Sequence, residues 1–314
     1  MIKSKYKDSF EPQSNKRSAM KYIITGSLGH ISKPLAEKLI AAGHEVTVIS
    51  SKKDKKDAIE ALGATAAIGS VEDVTFLTDT FKGADAVYTM VPPTFTPADW
   101  KKHISQVGQN YADALRAAKV KYVVNLSSVG AHMPEGCGPV SGLYYVEKSL
   151  NELTDTHVLH LRPGFFFYNF LAQTGMVKHM GFLGGNYGEG TRLILSHTDD
   201  IADVAAKELL ELSFRGKTVR YLSSDEKATS EIAGVLGKAI GKPDLKWVDF
   251  TDAQNHDGLV QAGLPAELAR NYTEMGRAIR SGEMFSDYKS KGISPHGKVK
   301  LADFADEFSA VFRQ

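Results

Sequence analysis

Three groups of residues have the types and spacing for chemistry. The first is Gly26-Ser27-Leu28-Gly29-His30-Ile31-Ser32, which follows the β-rich run Lys21–Thr25. Gly26 permits a tight turn out of a strand, and Gly29 lets an anion approach the backbone. The helix that follows offers free N–H groups and the positive end of its dipole. Ser32 takes the third glycine's place and is small enough for close helix–strand packing. Pro34 lies near the helix start, where a missing N–H costs least. This strand–loop–helix context predicts binding of dinucleotide phosphates, the competing reading being a purely structural turn.

The second group ends the next strand, Glu45–Ser50. A site built for NAD places an acid there for the ribose 2′-OH. Here the chain reads Ser50-Ser51-Lys52-Lys53, with no acid before Asp54. Hydroxyls and ammonium groups suit a 2′-phosphate, so NADP is expected over NAD, with Ser51 and Lys52 touching the phosphate. The bland alternative is a solvated polar turn. The third group is Ser128, Tyr144 and Lys148. Tyr144 and Lys148 are four apart, on one helix face. A protonated lysine stabilises a nearby phenolate, so the phenol can exchange a proton with a substrate oxygen during hydride transfer. The lysine can also bond the nicotinamide ribose, and the serine can orient a carbonyl. The alternative is a core tyrosine with a solvated lysine.

These groups need elements to hold them. Short strands are expected at Lys21–Thr25, Glu45–Ser50, Thr65–Ile68, Ala84–Met90, Lys121–Leu126 and His157–Leu161. Helices alternate with them at residues 32–42, Asp54–Leu62, Val74–Phe81, Ala98–Ala118 and Gly142–Thr154. Such alternation implies an α/β fold with a doubly wound parallel (Rossmann) sheet and helices on both faces. It ends near residue 163, after which helices dominate. This places a dinucleotide-binding domain at 20–164 and about 191–222, and a smaller C-terminal substrate domain at about 165–190 and 223–314.

Composition narrows the classes. In 314 residues, 38 basic side chains balance 37 acidic ones, giving a net charge of +1. That offers no electrostatic case for nucleic acid or an anionic membrane. No apolar run is long enough to span a bilayer, and one cysteine, Cys137, excludes an intrachain disulfide. Residues 1–19 carry a net charge of +3 and no apolar signal core. They are expected to be a mobile extension or sequence upstream of a start at Met20, the sharper alternative being a basic arm or targeting segment. The cytoplasm is the expected compartment.

With these residues in view, the sequence resembles the short-chain dehydrogenase/reductase superfamily, and within it the atypical NmrA-like group. The resemblance is carried by TGSLGHIS (25–32), SSVGA (127–131), YYVEKSLNEL (144–153), LRPGFFFYNF (161–170) and SHTDDIADVAAKELL (196–210). It covers about residues 20–240. It implies NAD(P) binding, with Gly26, Leu28, Gly29, His30 and Ile31 around the pyrophosphate and Ser51 and Lys52 near the 2′-phosphate. It further implies Lys148 at the ribose and Pro163, Gly164 and Phe165 along the nicotinamide. Two departures stand out. Gly69 is followed by Ser70 where the family often has aspartate. The gap of 16 residues from Ser128 to Tyr144 is shorter than in sugar-nucleotide epimerases of the superfamily. Members of the group include quinone or phenolic reductases and nucleotide-sensing regulators, and many lack the catalytic tyrosine.

The remaining features are weaker. The stretch 181–190 holds five glycines and reads as a closing loop or a plain connection. Of the aromatic run Phe165, Phe166, Phe167, Tyr168 and Phe170, one or two are expected to wall an apolar pocket and the rest to be core. His157 and His160 lack companions for a metal site, Asp199 and Asp200 suit a helix N-cap, and Cys137 reads as an ordinary loop thiol. The expected function is an NADP-dependent oxidoreductase passing hydride to a small, apolar carbonyl or quinone. The alternatives are a non-catalytic redox sensor and an epimerase or dehydratase with tightly held cofactor.

Overall fold

The computed structural model describes residues 19–94 and 98–314, so all but the last residue of the expected extension lies outside the described residues. The strands are β1 (Lys21–Ile24), β2 (Glu45–Ser50), β3 (Thr65–Ile68), β4 (Ala86–Thr89), β5 (Tyr122–Leu126), β6 (His157–Pro163), β7 (Phe165–Phe166), β8 (Leu183–Gly185), β9 (Arg192–Ser196), β10 (Lys217–Leu222), β11 (Asp225–Ala228) and β12 (Trp247–Asp249). The helices are α1 (Ser32–Ala41), α2 (Lys56–Ala61), α3 (Val74–Phe81), α4 (Trp100–Ala118), α5 (Pro139–Asn151), α6 (Thr174–Met180), α7 (Thr198–Glu211), α8 (Thr229–Ala239), α9 (Asp252–Gln261), α10 (Ala266–Ser281), α11 (Ser286–Ser290) and α12 (Leu301–Phe312).

Seven strands form one sheet in the order β10-β6-β5-β4-β1-β2-β3, and every pairing is parallel. Both faces are covered, and the inner strands β1, β4 and β5 are correspondingly rich in buried apolar residues. Leu35 and Leu39 of α1 and Ile201, Ala205 and Leu209 of α7 pack on one face, against Tyr22, Ile24 and Val48. Leu77 and Phe81 of α3, Ile104 and Tyr111 of α4, and Val146 and Leu150 of α5 pack on the other. The strand order reverses between β1 and β4, which opens a crevice at their C-terminal ends.

The alternation read from the sequence is present, with shifted ends. Asp99 accepts from the Lys102 N–H at 2.9 Å and starts α4 at Trp100. Pro139 occupies the first turn of α5, so that helix begins three residues before Gly142. Gly108 and Gly142 let α4 and α5 approach closely; a Cβ on Gly108 would stand 2.7 Å from the Val146 Cα.

The seventh strand, β10, joins the sheet beside β6 after a long excursion. That excursion and the C-terminal helices build a third core around Phe167, Phe170, Trp247, Phe285, Phe304 and Phe308. Here the division expected from the sequence shifts. β9 pairs with β7 and β11 rather than with the main sheet, and its Leu193, Ile194 and Leu195 pack in this third core. Of the stretch 191–222, α7 and β10 pack with the seven-stranded sheet. Among the described residues, no helix is long and apolar enough to cross a membrane.

Candidate active site at the carboxyl ends of the strands

The glycine loop leaves β1 through two residues with positive φ, Gly26 at 93° and Ser27 at 55°. A Cβ at Gly26 would lie 2.6 Å from the Ser32 Oγ and 2.9 Å from the Met90 Sδ, so only glycine fits. At Gly29 an added Cβ would meet only the Gly26 carbonyl oxygen, at 3.1 Å. Gly29 lies just before the start of α1, which has no side-chain cap and no acid in its first turn. An uncapped helix terminus with a bare glycine before it fits a diphosphate. Ser32 donates to the Thr25 carbonyl at 2.8 Å, tying the helix to the strand at the third-glycine position. Leu28 is half-buried, His30 exposed and Ile31 buried.

The end of β2 meets this loop. The Ser27 N–H donates to the Ile49 carbonyl at 3.0 Å, and the Ser27 Oγ bonds the Ser50 Oγ at 2.9 Å. The Lys52 N–H donates to the same Ser50 oxygen at 3.2 Å. Ser51, Lys52 and Lys53 are exposed beside this pair. Ser27 and Ser50 were not singled out from the sequence, although the serine run marked the place.

The structure gives Ser128, Tyr144 and Lys148 separate contacts. Among the described residues, no hydrogen bond or ion pair joins them. The Ser128 hydroxyl donates to the Val129 carbonyl at 2.9 Å, the Tyr144 ring packs edge-on against Tyr145, and Lys148 is exposed. The helix phase is the reason. Glu147 of α5 reaches the strand ends, and Lys148 lies about 100° round the helix from it. Glu147 Oε1 accepts from the Ser127 hydroxyl at 2.5 Å and from Arg162 Nε at 2.9 Å. Its Oε2 accepts from Arg162 Nη2 at 2.6 Å. Arg162 also donates through Nη1 to the Tyr221 hydroxyl at 2.9 Å and to Asp287 at 3.3 Å. Tyr221 in turn donates to Asp287.

This network joins β5, α5, β6, β10 and α11, and the Glu147 and Arg162 side chains are 6 % and 9 % exposed. Burial pulls the Arg162 guanidinium's pKa down, but the Glu147 carboxylate outweighs it and the net shift is upward. Burial and the bond to Asp287 push the Tyr221 phenol up to about 12. The Tyr221 hydroxyl and nearby cations hold Asp287 below its ordinary range against some burial. His132, on the loop after β5, bonds the Ser286 hydroxyl at 3.0 Å through Nε2, and burial lowers its pKa. The sequence signals for the network were an arginine inside the apolar strand HVLHLRP and an acid beside Lys148.

Pro163 ends β6 beside this network, and Gly164 and Phe165 lead into β7. The Gly164 N–H donates to the Ser196 hydroxyl at 2.9 Å, and a Cβ there would lie 2.4 Å from the Ile194 carbonyl oxygen. Glycine is therefore required for the approach to β9. The Phe165 ring meets Tyr187 at 5.9 Å, and Tyr187 stacks on Trp247 at 5.5 Å. In the aromatic run, Phe165, Phe167 and Phe170 are buried, Phe166 is half-buried and Tyr168 is exposed.

The glycine stretch 181–190 is neither a loose lid nor a plain connection. It contains β8, its Gly188 N–H donates to Asp249 at 2.9 Å, and its Gly190 N–H donates to Thr229 at 3.1 Å. The N-cap of α7 is His197, whose Nδ1 accepts from the Asp199 N–H at 3.2 Å. Asp200 instead fastens a C-terminal loop, accepting from the Ser224 hydroxyl at 2.6 Å and the Lys298 N–H at 3.0 Å. Burial pushes the Cys137 thiol up to about 12, consistent with an inert residue. Among the described residues, no cluster of three or more His, Cys, Asp or Glu could hold a metal ion.

Residues 26–158 match a family described as NAD(P)H-binding. A Bacillus subtilis (strain 168) protein named as an uncharacterized oxidoreductase, YesF, is 26 % identical over 271 residues, spanning 83 % of this chain and 85 % of its own. The NADPH-dependent quinone oxidoreductase QOR2 of Escherichia coli, solved with NADPH, superposes with a TM-score of 0.77 at 24 % identity, over 91 % of this chain and 99 % of that one. The Citrobacter sp. triphenylmethane reductase, solved with NADP(H), gives a TM-score of 0.75 at 18 % identity, over 92 % and 99 % of the two chains. The resemblance to atypical short-chain dehydrogenases/reductases drawn from the motifs agrees with these matches. The match to the NAD(P)H-binding family is confined to residues 26–158, and over most of its length the chain shares the fold of these reductases.

Proposed function

We propose that the protein is an NADPH-dependent oxidoreductase that delivers hydride to a small, planar, apolar acceptor of the quinone or conjugated-carbonyl type. The observation that carries the cofactor choice is the end of β2. There the Ser27–Ser50 hydroxyl pair lies against the glycine loop, with Ser51, Lys52 and Lys53 exposed beside it. No acid precedes Asp54. Hydroxyls and ammonium groups suit a 2′-phosphate, whereas a carboxylate would repel it.

The acceptor class is supported by two features. Phe165, Tyr187 and Trp247 form an aromatic succession leading away from the end of β6. At the strand ends α5 presents Glu147, a carboxylate locked to Arg162. A conjugated acceptor spreads the charge that develops on its oxygen, so it asks less of a positioned general acid than a simple ketone does. NADPH, when bound, supplies the hydride. The glycine loop holds the diphosphate and the β2 end the 2′-phosphate. The names of YesF and of the quinone oxidoreductase point the same way.

Titration with NADPH and NADH, followed by tryptophan fluorescence, tests the cofactor choice. NADPH is expected to bind at least about tenfold tighter, and Lys52→Glu to remove most of the difference. Equal affinities in the wild-type chain would overturn it. The Glu147–Arg162 pairing also favours a second reading, a redox sensor with no turnover. Its signature is unequal affinity for the oxidised and reduced cofactor with no loss of hydride to any acceptor.

A further inference from the structure

We propose that Tyr168 is a cofactor-binding residue which, with His30, forms an aromatic clasp over the diphosphate of the bound dinucleotide. The inference rests on the dinucleotide reading above and adds a residue from the C-terminal part of the chain to that site. Tyr168 lies in the 3₁₀ helix Phe167–Gln173. Its neighbours in that helix, Phe167 and Phe170, are fully buried. Phe167 stacks on Phe304 at 5.5 Å, with 27° between the rings. These two anchors fix the backbone of the segment. Between them Tyr168 turns outward and remains 42 % exposed, an uncommon state for a large aromatic ring.

The exposed ring is not idle. It lies on the imidazole of His30, with ring centroids 4.0 Å apart and 42° between the planes. His30 is itself exposed, directly after Gly29 and beside the uncapped start of α1. The pair therefore bridges from the C-terminal part to the glycine loop, at the loop residue next to the helix amides that would receive a diphosphate. Neither ring belongs to the hydrophobic cores on either side. An aromatic cover over one side of the diphosphate excludes water and strengthens the N–H···O bonds made on the other. It must part to admit or release the dinucleotide, so its effect falls on the dissociation rate.

The full chain and its Tyr168→Ala, Tyr168→Phe, His30→Ala and double Tyr168→Ala/His30→Ala variants would be titrated with NADPH and with 2′,5′-ADP. The second probe carries the adenosine and 2′-phosphate but no diphosphate linkage. Tyr168→Ala is expected to weaken NADPH binding about tenfold through faster dissociation. Tyr168→Phe restores most of the affinity, and the double variant is no worse than either single one. Binding of 2′,5′-ADP stays within about twofold of wild type. NADPH binding by Tyr168→Ala within twofold of wild type would overturn the clasp, as would an equal loss with both probes. A wild-type chain that binds 2′,5′-ADP and NADPH normally while the variants behave alike defeats only the clasp. A wild-type chain that binds no dinucleotide defeats the underlying reading as well.

Discussion

Glu147 shows how one step along a helix changes the chemistry available at a site. The sequence displays Tyr144 and Lys148 at a spacing that suits proton transfer. Close packing of α4 on α5 through Gly108 and Gly142 fixes the helix phase instead, and it turns Glu147 to the strand ends. That phase depends on neighbours distant in sequence, so spacing within α5 did not reveal it. The glycine loop was legible because its reason is local: Gly26 needs positive φ and no Cβ. Removing Arg162 would strand a buried carboxylate, which costs about 3–5 kcal/mol. Arg162→Ala is expected to lower the melting temperature by roughly 5–8 °C, read by thermal unfolding. Lys148→Ala, at an exposed position, is expected to leave turnover within about twofold. A Lys148→Ala variant losing most of its turnover with normal stability would return that lysine to the cofactor.

At the level of elements, the central strands are cross-tied by a buried polar chain. Thr89 of β4 donates to Asn125 of β5 at 3.0 Å. The Asn125 amide meets His160 Nδ1 of β6 at 3.1 Å, and His160 Nε2 meets the Asn151 side-chain oxygen at 3.0 Å. The amide donor makes Nδ1 an acceptor, so Nε2 carries the proton of a neutral ring. A second proton would face a donor inside the sheet. Burial first, with Arg162 and Lys217 adding and Glu147 opposing, lowers the His160 pKa from 6.5 to about 4. The unfolded chain then binds the proton more readily than the folded one. Stability from this residue is complete above about pH 6.5 and is lost as the pH falls towards 4, by roughly 3 kcal/mol in all. Urea unfolding at pH 7 and pH 4.5 should show this loss in the wild type and a clearly smaller one in His160→Gln. Equal losses would assign the acid sensitivity elsewhere. The strands and helices of the sheet were legible from apolar runs and glycine stops, since each obeys local rules. β9 was not, because its partners β7 and β11 are two short strands with no periodic pattern of their own. Asp200 looked like a cap for the same reason: its partners Ser224 and Lys298 lie in distant loops.

Taken whole, the molecule sets a seven-stranded parallel sheet against a helical C-terminal part. The glycine loop, the serine–lysine end of β2 and the Glu147–Arg162 network all lie at the carboxyl ends of the strands, where such sheets bind ligands. Contacts between the two parts there include Tyr168 on His30 and Asp287 on Arg162 and Tyr221. The glycine loop and the end of β2 were legible in the sequence because each is built from contiguous residues. The proposed acceptor side draws on segments around residues 165, 187, 247 and 287, and no local pattern joins them. The most direct measurement mixes purified protein with excess NADPH and a panel of quinones, conjugated ketones and simple ketones, following the absorbance of the reduced nicotinamide. Many turnovers with the planar conjugated acceptors and few with simple ketones are expected. Tight NADPH binding with no oxidation by any acceptor, or a preference for simple ketones that Tyr144→Phe abolishes, would contradict it.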